Sequence, residues 1–458
     1  MRREPLNLTD SSLALHLDEY ELTMAQSFHR HGQTGVVAFE LTVREMPPHR
    51  GYLVAAGLEQ ALAYLRSLRF TAADVDVLAR QGIYDAAFLR MLAALRFSGD
   101  VDAIPEGTPI GAGVPLLRVT APRIEATLVE SALLALVNHQ TMIAGKASRI
   151  VNAAQGRDVW DFSLRRLHGP EAAVGVARAA YIAGCAGTAT VAAGARLGIP
   201  TTGTMGHHYV LAFGEAHEQA AFAQFLADHP GRAVLLVDTW DTLRGVDRAI
   251  AASQDTGVPL AGVRLDSGDI ATLAVAVRAR LDAAGFAGAR ITASGDLDEY
   301  RIAALVASAA PVDAFGVGTM LGTSADAPFL GGVYKLVEQR DGAEMVPAMK
   351  VTAHKQTDPG AHQVFHTATR DVVGLRDESL EGEPLLVPVM RGGEVVDALP
   401  SLPEVRARCR ERVAALPDEV RRIEQPAVWP VVRSPRLTEL RARLLGDNED
   451  RGDARVTA

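Results

Sequence analysis

Charged and hydroxyl side chains recur in this sequence directly after short apolar runs. They are Arg165 and Arg166; Thr204, His207 and His208; Asp238 and Asp241; Arg264, Asp266 and Asp269; Ser294 and Asp296; and, with glycine, Gly316, Gly318 and Thr319. In FSLRRLHG (162–169) the adjacent arginines offer forked donors suited to carboxylate or phosphate oxygens. Neighbours on an extended segment point to opposite sides, so one can bind a ligand while the other braces a carboxylate. A solvated arginine pair at a helix start is the plainer alternative, and Phe162 reads equally as a core residue or as a face for an aromatic ligand. In TGTMGHHYV (202–210) Gly203 and Gly206 let backbone approach a ligand closely. The imidazoles there could attack phosphorus or carbon, bind a metal or cap a helix. In RLDSGD (264–269) Arg264 can neutralise a phosphate or a leaving group. Asp266 and Asp269 can hold ribose hydroxyls or, through water, Mg²⁺. SGDLDEY (294–300) and FGVGT (315–319) are glycine-bearing turns, and the N–H groups of the second could form a phosphate nest at a helix start. Two such turns in succession point to a phosphorylated substrate.

These groups need a frame that brings them to one place. The middle of the chain supplies a rhythm of apolar strands followed by Ala-rich helices. Strands are expected at 159–164, 189–191, 201–204, 233–237, 261–265, 289–293 and 312–317. Helices are expected at 171–184, 215–227, 242–254, 270–284 and 297–308. Repeated β-α spacing implies a parallel sheet with covering helices, and this many units in succession favours a closed barrel. The polar groups then sit at the carboxyl ends of the strands, on one rim. The first part of the chain mixes helices (57–68, 71–80 with Thr71 as N-cap, and a long stretch from 124 to 151) with strands such as 36–44. The later part has strands at 334–337, 360–367 and 383–389, then a charged helix at 402–423. The expected division is an N-terminal α+β domain over 1–135 and a β/α barrel over 136–333. A later segment over 334–445 packs with the first domain, and a polar tail covers 446–458.

Composition bounds the possibilities. The chain has 458 residues, 48% hydrophobic and 22% charged, which suits a large core and excludes a disordered chain. Its net charge of -9 argues against generic nucleic-acid binding. Cys185 and Cys409 are far apart and belong to no CxxC pair, so neither a disulfide framework nor a cysteine zinc site is expected. No apolar stretch follows the arginines of MRREPLNLTDSS, so a signal peptide is not expected. The most apolar run, 172–195, reads as a buried helix and strand and not as a membrane span. The expected compartment is the cytoplasm.

DEYELTMA (18–25), FSLRRLHG, GTMGHHYV (203–210), GVRLDSGD (262–269) and DAFGVGT (313–319), in that order, resemble the nicotinate phosphoribosyltransferases across most of the chain. The resemblance implies an irregular β/α barrel of the type II phosphoribosyltransferase kind with a second α+β domain. It implies coupling of nicotinate to 5-phosphoribosyl 1-diphosphate, giving nicotinate mononucleotide and diphosphate for NAD biosynthesis. ATP is then a co-substrate acting through a phosphohistidine, with Mg²⁺ required. By motif, Tyr20 would stack on nicotinate from a neighbouring subunit, opposite Phe162. Arg165 would meet the base and the ribose phosphates. His207 would carry the phosphoryl group. Thr204, Arg264 and Asp266 would serve the nicotinate and phosphoribosyl sites, with Asp296 beside them. Gly295, Gly318 and Thr319 would cradle the 5-phosphate. The shared site implies a homodimer. The chain departs from family habit at Gly206-His207-His208 and at Ser163, where glycine is common. The segment 351–364, with Lys355 and Pro359-Gly360, resembles the family's later lysine segment with less regular flanks. Rival readings are a nicotinamide phosphoribosyltransferase and, from another class, a metal-dependent barrel hydrolase using His207, His208 and Asp238.

Overall fold

A computed structural model describes residues 13–352 and 356–456, so Lys355 lies outside the described residues. The chain divides into two compact units. One takes residues 1–145, 329–422 and 426–458; the other takes 146–328 and 423–425.

The second unit is built on six parallel strands: Asp158–Asp161, Gly187–Thr188, Val234–Leu236, Gly262–Leu265, Arg290–Ala293 and Ala314–Val317. Numbered first to sixth along the chain, they lie side by side in the order second, first, sixth, fifth, fourth, third. A single parallel bridge, Thr188 to Thr201, extends the sheet beyond the second strand. The result is an irregular, barrel-like sheet, with helices Ala172–Ile182, Glu218–Asp228, Thr242–Thr256, Ile270–Ala283 and Glu299–Ala307 between strands. Apolar side chains explain its inside: Val159, Leu235, Val263, Leu265, Ile291, Phe315 and Val317 are buried. Lys146 is also fully buried, with its ammonium 2.5 Å from Glu299 and 2.9 Å from Asp326, which makes it part of a buried ionic group.

Strands expected in this region are shorter than the apolar runs that signal them. The first stops at Asp161 because the Ser163 N–H turns back to the Asp161 carboxylate and residues 164–166 coil into a 3₁₀ turn. The expected strand 189–191 is displaced to Gly187–Thr188, and a helix, Val191–Leu197, follows at once. The expected strand 201–204 survives as the single bridge at Thr201. Three acids that follow strands cap helices. Asp241, Asp269 and Asp298 accept the N–H groups of Arg244, Thr272 and Arg301.

The first unit carries a seven-stranded sheet in which three early strands form the centre and late strands flank them on both sides. Strand Val36–Val43 lies between Gly332–Asp341 and Pro115–Pro122, antiparallel to both. Val387–Arg391 pairs with Asp100–Ala103 further along the same sheet. A four-stranded sheet includes His362–His366 and Asp371–Leu375. Thr71 caps its helix in a full capping box with Asp74. The helical stretch over 124–151 is interrupted between Thr127 and Glu130. The helix expected over 402–423 ends at Ala415, because Leu416 precedes Pro417 and is extended. Helical backbone from Pro435 to Val456 occupies most of the segment read as a polar tail. No helix among the described residues is long and apolar enough to cross a membrane.

Candidate active site

His207 opens the helix His207–Phe213, which the sequence reading did not anticipate. Its Nε2 lies 3.2 Å from Asp238 Oδ1, just past the third strand. The other oxygen of Asp238 accepts the Asp266 N–H at 3.0 Å and the Ser267 hydroxyl at 2.6 Å. The carboxylate is thus fully engaged and 1% exposed, whereas the imidazole is 39% exposed. A carboxylate only accepts, so Nε2 is the donor in this contact, and Nδ1 is the nitrogen left to act as acceptor in the neutral ring. His208 goes elsewhere. Its ring folds back over Gly206, so a Cβ on that glycine would stand 2.9 Å from His208 Nδ1. Successive residues of a helix are turned about 100° apart, which separates the two rings. Among the described residues no group of three His, Cys, Asp or Glu side chains could hold a metal ion. The trio His207, His208 and Asp238 of the rival hydrolase reading is therefore not assembled.

Arg264 projects from the fourth strand between buried Val263 and Leu265. One terminal nitrogen reaches the Thr204 hydroxyl at 2.5 Å and the Met205 carbonyl at 3.3 Å. The other lies 3.7 Å from Asp266. Its Nε is buried and has no partner. Burial holds the guanidinium pKa below its ordinary value; Asp266 and Asp238 oppose this, and the charge of Arg165 adds to it. Two cations that converge with an open donor form a seat for an anion.

Asp266 accepts the Ser294 hydroxyl at 2.5 Å, tying the fourth strand's exit to the fifth's. Gly295 follows at φ +84°, and a Cβ there would stand 1.9 Å from the Asp266 carbonyl, so only glycine fits. Asp296 is exposed, also at positive φ, and its carbonyl accepts from Arg301. Phe162 lies with its ring against the sixth strand, where a Cβ on Gly316 would be 2.4 Å from the ring edge. Gly318 and exposed Thr319 follow that strand at the start of the short helix Thr319–Gly322.

Thr204, Arg264 and Asp266 thus meet directly, and Asp238 links Asp266 to His207. Arg165 is within electrostatic range of Arg264, and Gly295 and Asp296 adjoin Asp266. Phe162, Gly318 and Thr319 sit together at the exits of the first and sixth strands. Tyr20 belongs to the other unit, on helix Glu19–Arg30, and is 44% exposed. Burial and then the charge of Glu130 push its phenol pKa up. Asp269 uses both carboxylate oxygens to cap the next helix at Thr272. The sequence groups Asp238 with His207 only as possible metal ligands, and it gives Ser267 no role of its own. The available signal was an acid directly after an apolar strand, as in VDTW.

The nicotinate phosphoribosyltransferase N-terminal domain matches residues 15–138, and the C-terminal domain of the same family matches 333–441. A nicotinate phosphoribosyltransferase of Mycobacterium tuberculosis, pncB2, is 44% identical, covering 94% of each chain. One from Bacillus subtilis is 35% identical, covering 92% of this chain and 93% of that one. The crystal structure of human nicotinic acid phosphoribosyltransferase superposes with a TM-score of 0.82 at 28% identity, over 93% of this chain and 99% of that one.

Proposed function

The chain belongs to the nicotinate phosphoribosyltransferase family, and we propose that the rim of its barrel-like sheet binds the substrates and carries the transfer. It is an enzyme of NAD salvage that joins nicotinate to a phosphoribosyl group. The observation that carries the site reading is the buried Arg264 guanidinium. It has an open Nε, is repelled by Arg165, and lies beside Thr204 and Asp266.

In this reading Phe162 offers one face to the pyridine ring, and Arg165 and Thr204 attract its carboxylate. Asp266 and Asp296 hold ribose hydroxyls, while Gly295, Gly318 and Thr319 bring backbone N–H groups to the 5-phosphate. The ring nitrogen attacks the anomeric carbon as the bond to diphosphate breaks. No protein nucleophile is needed; alignment and the positive charge of Arg264 on the leaving oxygen supply the catalysis. His207, oriented by Asp238, takes the γ-phosphoryl group of ATP on Nδ1 as ADP leaves, which adds negative charge beside the site until water attacks the phosphohistidine and releases phosphate. Mg²⁺ fits as an ion brought with the diphosphate, because Mg²⁺ keeps several waters and needs only one or two carboxylates. Asp266 and Asp296 are the rim carboxylates that would receive it, and its chemistry is to neutralise the departing diphosphate. The enzyme acts as a homodimer in which Tyr20 of one subunit closes the nicotinate site of the other.

Nicotinate should be used about 10- to 100-fold better than nicotinamide in kcat/KM, the worth of one charge-assisted contact. The measurement is mononucleotide formation from each base with 5-phosphoribosyl 1-diphosphate, Mg²⁺ and ATP. Equal or better turnover of nicotinamide would overturn the reading.

A further inference from the structure

Asp161 ends the first strand and is 1% exposed, yet no cation lies within ion-pair distance of it among the described residues. Three neutral donors surround it. The Ser163 N–H and hydroxyl reach Oδ1 at 3.0 and 2.5 Å, and the Thr188 hydroxyl reaches Oδ2 at 2.7 Å. Ser163 and Thr188 are themselves buried. Thr188 in turn accepts the Thr190 N–H at 3.0 Å, so one carboxylate links the exits of the first and second strands. The link runs on to the sixth strand. The Phe162 N–H bonds the Val317 carbonyl at 2.8 Å, and a Cβ on Gly322 would stand 2.3 Å from the Ser163 Cβ. The Ser163 carbonyl accepts the Arg166 N–H at 2.7 Å, which closes the turn carrying Arg165.

Burying a carboxylate without a counter-charge costs stability. Apolar packing could fill this position, and it would leave the turn 162–166 without its internal acceptor. We infer that Asp161 is a positioning residue for nicotinate: through Ser163 and Thr188 it sets the turn that presents Phe162 and Arg165. The inference rests on the proposed roles of Phe162 and Arg165. Loosening the turn weakens binding of the base and leaves the phosphoribosyl contacts on the fourth and fifth strands intact. The expected signature is a nicotinate KM raised about 10-fold or more, with kcat changed less than about threefold and a smaller rise in the KM for 5-phosphoribosyl 1-diphosphate, whose contacts at Gly318 and Thr319 share the sixth-strand exit.

The experiment is steady-state kinetics on the full-length enzyme with Asp161→Ala, Asp161→Asn, Ser163→Ala and Arg165→Ala, each with a melting curve. Asp161→Asn keeps an acceptor for Ser163 and should recover most of the nicotinate affinity lost in Asp161→Ala. If Asp161→Ala does not fold, Ser163→Ala carries the comparison, since it removes one donor and keeps the Cβ packed on Gly322. Arg165→Ala tests the underlying site reading. If it leaves the nicotinate KM unchanged, that reading fails and the inference falls with it. If Arg165→Ala raises the KM while the folded Asp161 and Ser163 variants keep the wild-type value, the positioning role alone is overturned. An equal fall in turnover at unchanged KM for both substrates would mark Asp161 as structural and overturn it too.

Discussion

His207 and His208 are adjacent and chemically identical, and the fold gives them different neighbours. His207 faces a carboxylate locked by Asp266 and Ser267, whereas His208 lies over Gly206. An imidazole that donates Nε2–H to a fixed carboxylate presents a basic Nδ1 and stabilises the positive charge that develops when it attacks phosphorus. His207→Ala should therefore abolish nicotinate-stimulated ATP hydrolysis and acid-labile protein phosphorylation, while slow ATP-independent transfer survives. His208→Ala should retain the phosphoprotein. Asp238→Asn should slow its formation about 10- to 100-fold, in line with loss of an orienting base partner. Phosphopeptide mapping that puts the label on His208 would sink the assignment. The sequence named both imidazoles but could not aim them, because direction depends on where the helix begins. The partner of His207 is 31 residues away, beyond any local pattern. Arg264, Asp266 and Thr204 stand out in the sequence because each belongs to a polar motif that follows an apolar run.

Strand and helix periodicity located most elements of the barrel-like sheet, and side-chain hydrogen bonds moved their ends. Asp269 and Asp241 look like site acids in sequence because the helix caps of a β/α repeat fall at the same rim as its chemistry. Links between elements distant in sequence were not legible at all. Glu40, on strand Val36–Val43, and His362, on His362–His366, are both buried, with Nδ1 2.5 Å from the carboxylate. Burial alone would raise the Glu40 pKa, but the charges of His362 and Arg118 hold it below its usual range. Burial would lower the His362 pKa, but Glu40 holds it above its usual value. The Glu40 share of stability is present above its unfolded pKa of about 4.3 and is lost as pH falls through its lower folded value. The His362 share is complete below about 6.5 and is lost as pH rises through its higher folded value. The pair thus stabilises most between those limits. Glu40→Gln should cost about 3–5 kcal/mol near pH 6 and less as pH rises through the folded pKa of His362 and its charge is lost. Melting curves of the two proteins that run parallel from pH 5 to pH 9 would refute this.

Across the whole chain, β/α repetition made the barrel unit readable, because each repeat buries its own apolar strand beneath its own helix. The other unit is assembled from non-local antiparallel pairs, such as Leu41 with Tyr334 and Leu117, which no short-range period announces. Tyr20 sits in that unit, on an exposed part of helix Glu19–Arg30, and Arg264 sits in the barrel unit. If the nicotinate site takes Tyr20 from one subunit and Arg264 from the other, the two substitutions separate in a hybrid dimer. A Tyr20→Ala chain paired with an Arg264→Ala chain then holds one site with both residues intact and one site with neither. A closed two-fold dimer has two equivalent sites, so the isolated hybrid should recover about half of wild-type activity. If both residues serve the site of their own chain, each site in the hybrid lacks one of them, and activity stays at the level of the parents. Co-expression with two different tags and purification through both gives the hybrid directly, and its rate of nicotinate mononucleotide synthesis decides between the arrangements. A hybrid no more active than either parent, or a wild-type enzyme that sediments as a monomer at full activity, would reject the shared site.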